Sequence, residues 1–126
     1  MSVEAYKKVE IETKVFGSSK YELILLMYER TIQQIELIKE KILAKDHAAK
    51  AFHVEKAMMI ISDGLRASLD EEKGGQLSSN LFNLYTFINS ELVSASVQND
   101  AKKIDGCLEI MKEIQAAWVQ IGAAAK

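Results

Sequence analysis

The sequence predicts an all-α fold, an antiparallel up-down four-helix bundle with an N-terminal arm. Three observations predict it. Proline is absent from all 126 residues, so no residue breaks a helix or presets a turn. Four stretches of about 20 residues carry apolar side chains at alternating steps of three and four, which keeps one stripe on one helix face. Only a few residues, such as Gly74-Gly75 and Asn99-Asp100, separate the stretches, and short connections force consecutive helices antiparallel.

Residues 1–17 contain Val9, Ile11 and Val15 without a sustained helical stripe and end in Gly17, so they read as an arm, with the bundle in 18–126. Ser19-Lys20-Tyr21-Glu22 fits a capping box at the head of a helix over about 19–44. Its stripe is Ile24, Tyr28, Thr31, Ile35, Ile38 and Ile42, with Arg30, Glu40 and Lys41 opposite. Asp46 is placed to cap a second helix over about 47–69, striped by Ala51, Val54, Met58, Ile61, Leu65 and Leu69. The third, about 76–97, runs Leu77, Leu81, Leu84, Ile88, Leu92 and Ala95. The fourth, about 100–121, runs Ile104, Leu108, Met111, Ile114 or Gln115, Trp118 and Ile121.

With 48% apolar and 27% charged residues, the composition is that of one globular domain. Sixteen basic against 18 acidic residues, a net charge of -2, provide no basic field, so no nucleic-acid partner is expected. The longest wholly apolar run, Leu23 to Tyr28, falls far short of the roughly 20 residues of a membrane span, so no membrane insertion is expected. A single cysteine, Cys107, and the lack of a signal-peptide pattern make the cytoplasm the expected compartment.

Residues that carry chemistry are sparse, and no cofactor is expected. There is no Glu-x-x-His pair for a di-iron site, and His47 and His53 lie about 120° apart on a helix, too far to share one metal. Cys107 falls beside the apolar seam without a neighbouring histidine, the position of a structural small residue. His53, pointing away from its stripe with Lys56 one turn on, leaves open a histidine phosphotransfer bundle. Ala57 then stands where that chemistry places a glycine, which favours a solvated surface histidine. Lys73-Gly74-Gly75 lacks the order and the preceding strand of a P-loop, and Asp70, Glu71 and Glu72 lack the spacing of a calcium loop. A helix reversal fits better, with one glycine at positive φ and the acids facing the helix dipole.

The third helix is nearly free of charge. From Gln76 to Gln98 the average composition would give about six charged residues, and Glu91 is the only one. Ser79, Asn83, Thr86, Ser90 and Val97 lie opposite the stripe, flanked by Phe82, Tyr85, Val93 and Phe87. Either neighbouring helices and the arm bury this face, or a partner lies across it, most simply an amphipathic or disordered segment that folds as it docks. A structural bundle with this helix as an oligomer seam is the remaining alternative.

The residues resemble the FliS family of flagellar export chaperones over nearly the whole chain. The resemblance rests on Ala5-Tyr6, on Ser19 followed by Leu23-Ile24-Leu25-Leu26-Met27-Tyr28-Glu29, on Asn99-Asp100 and on Ala117-Trp118. Its most specific part is Leu69-Asp70-Glu71-Glu72-Lys73-Gly74-Gly75 with Asn80-Leu81 and Leu84-Tyr85 behind it. Lys20, Arg30, Thr31 and Gln76 depart from the family pattern, and Arg30 bears on contacts near Tyr28. The resemblance implies a non-enzymatic helical bundle that binds the disordered C-terminal segment of flagellin, prevents premature polymerisation and delivers it to the flagellar export apparatus. It also implies an arm that occupies part of the binding surface. Tyr6, Tyr28, Phe82, Tyr85, Asn89 and Val93 are the expected flagellin contacts.

Overall fold

A computed structural model describes residues 17–125, and these form four helices with no strand among the described residues. They are α1 (Gly17–Ala44), α2 (His47–Met59), α3 (Glu71–Gln98) and α4 (Ala101–Ala125). A π-helical segment (Ile60–Arg66) continues α2 without a break. α1 packs against α2 and α4, and α3 packs against α2, its π segment and α4, so α1 and α3 stand on one diagonal of an up-down bundle. The core is Ile35 and Ile38 of α1, Ile61 and Leu65 of the π segment, Ile88 and Leu92 of α3, and Ile104 and Met111 of α4.

Most stripe positions are buried where the period places them, with informative departures. Leu77 is exposed, while Tyr85, expected beside the stripe, is buried. The second helix, expected as one α-helix to about residue 69, widens at Ile60 and ends at Arg66. The first helix already includes Gly17 and Ser18, so Ser19 is not the residue at which it begins. The expected arm, 1–17, lies outside the described residues except for Gly17.

Two of the three reversals use the same device, a left-handed residue followed by an aspartate that caps the next helix. At the α1–α2 junction Lys45 has φ +58°, and Asp46 Oδ1 accepts from Ala49 N at 3.2 Å. At the α3–α4 junction Asn99 has φ +53°, and Asp100 Oδ1 accepts from Lys102 N at 3.0 Å and Lys103 N at 3.2 Å. Each aspartate satisfies amides that the helix start leaves unpaired. Lys50 joins these two corners: its Nζ donates to the Ser96 carbonyl at 2.8 Å and to Asn99 Oδ1 at 2.9 Å, so a buried ammonium closes the end of α3.

The Gly74-Gly75 reversal is built differently. Asp70 Oδ1 accepts from Glu72 N at 3.1 Å and Lys73 N at 3.0 Å, opening a single turn. Gly75 then leaves the helical region at φ +51°, ψ -127°, a conformation reserved to glycine, and α3 proper runs on behind it. Gly74 is needed for another reason. Ser78 Oγ donates to the Asp70 carbonyl at 2.8 Å and lies against the Gly74 backbone. A Cβ on Gly74 would overlap that oxygen and stand 2.9 Å from Ser78 Cβ.

Gly74→Ala is therefore expected to destabilise the bundle by about 2 kcal/mol, and by clearly less when Ser78→Ala removes the obstructing hydroxyl. Urea unfolding of the two single variants and the double variant measures the coupling. An equal cost of Gly74→Ala in both backgrounds would mean that Ser78 is not the obstacle.

Candidate functional site

The charge-poor face of α3 is not covered by the other described helices. Its apolar residues Leu77, Phe82, Phe87, Val93 and Val97 are 41–77% exposed. Ser79, Asn83 and Ser90 form an exposed, uncharged strip between them. Helical geometry puts Phe82, Val93 and Val97 on the side toward α2, and Leu77 and Phe87 on the side toward α4. Of the two readings of this helix, burial by its neighbours is therefore not supplied by α1, α2 or α4.

Grooves run along both sides. On the α2 side a groove of about 500 Å³ lies between Val54, Met58 and Met59 and, on α3, Val93 and Val97. On the α4 side a groove of about 290 Å³ is walled by Leu77 and Leu81 against Ile114, Ala117 and Trp118, with Glu113 as its charged residue. Leu77, Leu81 and Trp118 also wall a third hollow of about 310 Å³, which opens toward Tyr21 and Ile24 at the start of α1 and reaches the Gly74 turn. The most specific sequence block thus frames one end of an apolar surface.

Below that surface lies an aromatic cluster joining three helices. Tyr28 is 0% and Tyr85 2% exposed. Their hydroxyls hydrogen-bond each other across the diagonal, with ring centroids 6.4 Å apart. Trp118 Nε1 donates to Tyr28 Oη at 3.2 Å, and Tyr21 Oη donates to the Trp118 carbonyl at 2.7 Å. Burial pushes the Tyr28 phenol above its usual range, against the opposing effect of its bonds to Tyr85 and Trp118. A buried phenol or indole N–H needs a partner, and here each supplies the other's.

The six expected contact residues separate accordingly. Phe82 and Val93 are on the surface, Phe82 beneath the Arg66 guanidinium at 5.2 Å. Arg66 also donates to Thr86 Oγ1 at 3.3 Å. Tyr28 and Tyr85 are core residues in this structure, and Tyr85 meets the third hollow only as part of its wall. Asn89 is buried, and its Nδ2 donates to Ser62 Oγ of the π segment at 2.9 Å. Tyr6 lies outside the described residues. The sequence reading did not include Met58, Met59, Leu77 or Trp118 among the site residues. All four stand at or beside stripe positions, where periodicity assigns them to the core, though a tryptophan needing an N–H acceptor is itself a signal.

The remaining candidates are structural. His53 is half-buried rather than fully solvated: its Nδ1 hydrogen-bonds Gln34 Oε1 of α1 at 2.8 Å and its ring meets Phe52 edge-on at 5.2 Å. Lys56 is drawn over Phe52, 5.4 Å from the ring centre. Cys107 is buried in the core. Among the described residues no three His, Cys, Asp or Glu side chains gather as a metal site.

The family profile described as flagellar protein FliS matches residues 2–125. The chain is 32% identical over 123 residues to the flagellar secretion chaperone FliS of Salmonella typhimurium, covering 98% of this chain and 91% of that protein. It is 31% identical over 120 residues to that of Vibrio cholerae, covering 95% and 88%. To the flagellar secretion chaperone FliSB of Pseudomonas aeruginosa it is 29% identical over 117 residues, covering 93% and 92%.

Tyr28→Phe removes the acceptor of Trp118 Nε1 and one hydrogen bond of Tyr85, and is expected to cost about 1–3 kcal/mol in urea unfolding, with a shifted Trp118 emission. Cys107 makes stability fall in alkali. Burial chiefly, and Glu91 secondly, push its thiol from 9.0 up to about 11. Between those pH values the unfolded chain releases a proton that the native chain keeps, so stability present below pH 9 is lost by an amount on the order of 2–3 kcal/mol. Cys107→Ala should flatten the urea midpoint over that interval; an unchanged slope would assign the loss elsewhere.

Proposed function

The chain belongs to the flagellar protein FliS family, and on that premise we propose that it is a cytoplasmic flagellar export chaperone that binds the disordered C-terminal segment of flagellin. Binding prevents premature polymerisation, and the complex delivers its cargo to the flagellar secretion apparatus. The observation that carries this reading is the uncharged face of α3, left exposed between two apolar grooves. Soluble chains rarely leave such a surface bare, and depletion of charge marks the centre of an interface. A disordered cargo segment gains helical structure by laying apolar side chains into grooves of this kind.

Phe82 and Val93 serve as direct contacts in this proposal, and Phe87 and Leu77 extend them toward α4. Tyr28, Tyr85 and Asn89 hold the surface in shape from beneath. The arm, with Tyr6, occupies part of the same surface until cargo displaces it. No described helix is long and apolar enough to cross a membrane. The bond between His53 and Gln34 gives no support to phosphotransfer.

Calorimetric titration with a peptide of the flagellin C-terminal segment tests the proposal. Binding is expected, weakened about tenfold or more by Phe82→Asp or Phe87→Asp and unaffected by Leu43→Asp, a still more exposed apolar site on α1. Deletion of residues 1–15 should tighten it. Absence of binding at tens of micromolar peptide would overturn the assignment of flagellin as cargo.

A further inference from the structure

Arg66 and Asn89 stand on adjacent rungs of one interface. Where the π segment packs beside α3, Asn89 Nδ2 donates to Ser62 Oγ at 2.9 Å and Arg66 Nη1 donates to Thr86 Oγ1 at 3.3 Å. The pairing of 62 with 89 and 66 with 86 shows that the two helices run in opposite directions. Ser62 and Arg66 are about one turn apart on the π segment, as are Thr86 and Asn89 on α3, so the two bonds are separated by roughly 5 Å. One turn before Thr86, the Phe82 ring lies under the same guanidinium, its centre 5.2 Å from Arg66 Cζ.

The two rungs are unequally satisfied. Arg66 is loosely held: Thr86 and Phe82 are both exposed, and its bond to Thr86 is long for an N–H donor. Among the described residues that bond engages one of several guanidinium N–H groups. A cation over a solvated ring adds little more. Asn89 is the opposite case, only 8% exposed, with no hydrogen-bond partner for its Oδ1. A buried carbonyl oxygen without a donor is costly, and a bond to it from a cation is stronger in that setting than the same bond at the surface. Unused donors and an unmet acceptor thus lie one turn apart. The nearby Lys56 is drawn over Phe52 instead, and Lys50 closes the end of α3.

We propose that Arg66 is a two-position cover for Phe82: in the free chain it lies across the ring, and when an apolar side chain takes the ring it steps one turn along α3 to donate to Asn89 Oδ1. The inference rests on the reading of Phe82 as a direct cargo contact, and it adds how that contact is regulated. An exposed aromatic is shielded while the chain is empty, and the displaced cation finds a buried acceptor instead of being left unpaired. Strengthening the second position therefore has a defined effect, since the free chain spends more time uncovered and the bound state is favoured. Asn89→Asp does this by placing a carboxylate where Oδ1 stands, with the Ser62 hydroxyl able to donate to it.

NMR of the free full chain reads the position of Arg66, because protons over an aromatic face are shifted upfield; Phe82→Leu supplies the reference without the ring. The Arg66 side-chain resonances are expected upfield of that reference in the native chain and to move toward it in Asn89→Asp. Thr86→Val, at an exposed position, removes the acceptor of the first position; it should move them the same way and shift the Asn89 side-chain amide. Circular dichroism checks folding. Native values in both variants would overturn the proposal, whatever any peptide does. In calorimetric titration with the flagellin C-terminal peptide, Asn89→Asp is expected to tighten binding about fivefold, and to lose that gain when Arg66→Ala accompanies it. Equal tightening without Arg66 would also overturn the proposal. A peptide that binds no variant would instead remove flagellin as cargo, and the resonances of the free chain would still decide for or against the cover.

Discussion

Tyr28 and Tyr85 meet across the diagonal of the bundle, where α1 and α3 are not close backbone neighbours, and Trp118 of α4 donates its indole N–H to the Tyr28 hydroxyl. The close backbone contacts of α3 are lateral, to α2, the π segment and α4. A lateral arrangement alone would let α3 slide along its axis, because stripes of Leu and Ile repeat and a shift of one turn finds similar neighbours. A buried hydrogen-bonded triad does not tolerate such a shift, since it would leave two phenols and an indole unsatisfied in a region from which water is excluded. The register of α3, and hence the position of the apolar residues on its outer face, depends on this cluster.

The same logic explains why the helix ends are so fully capped. The outer face of α3 is left uncovered by the other described helices, so α3 is held at its back and at its two ends. At the front end, Asp70, Ser78 and the two glycines fold one turn back on itself. At the far end, Lys50 reaches from α2 to the last carbonyls and to Asn99. Between them the π segment supplies Ser62 and Arg66 to Asn89, Thr86 and Phe82, and its wider turn sits where helix two faces the middle of α3.

Much of this was legible in the sequence, because burial in a helical bundle follows a period of 3.6 and period is a property of one helix at a time. Tyr28, Ile35, Ile38, Ile88, Leu92 and Ile104 are buried where spacing puts them. The glycine at positive φ and the Asp46 cap were legible for a similar reason, being decided within a few residues. What could not be read is whatever two helices decide together. Tyr85 stands one step off its stripe, and it is buried facing the phenol opposite it; Leu77 is on the stripe, yet α4 leaves it exposed beside Trp118. The π turn has no residue signature of its own, and the grooves are spaces between the flanks of neighbouring helices.

The layout of α3 also bears on the form a partner must take. Its apolar residues are split, Phe82, Val93 and Val97 toward α2 and Leu77 and Phe87 toward α4, with Ser79, Asn83 and Ser90 between them. Each flank alone is narrow, and the polar strip keeps the two from merging into one patch of the size that promotes association. Arg66 further shields Phe82 by lying across its ring. A second rigid helix is about 10 Å across and seats in one groove, so it can satisfy one flank at a time. A chain that is disordered when free can fold in separate segments, one in each groove, and cross the strip between them in extended form. On the proposed function, the arrangement favours a flexible cargo over a preformed one, through the separation of the two flanks rather than any single contact.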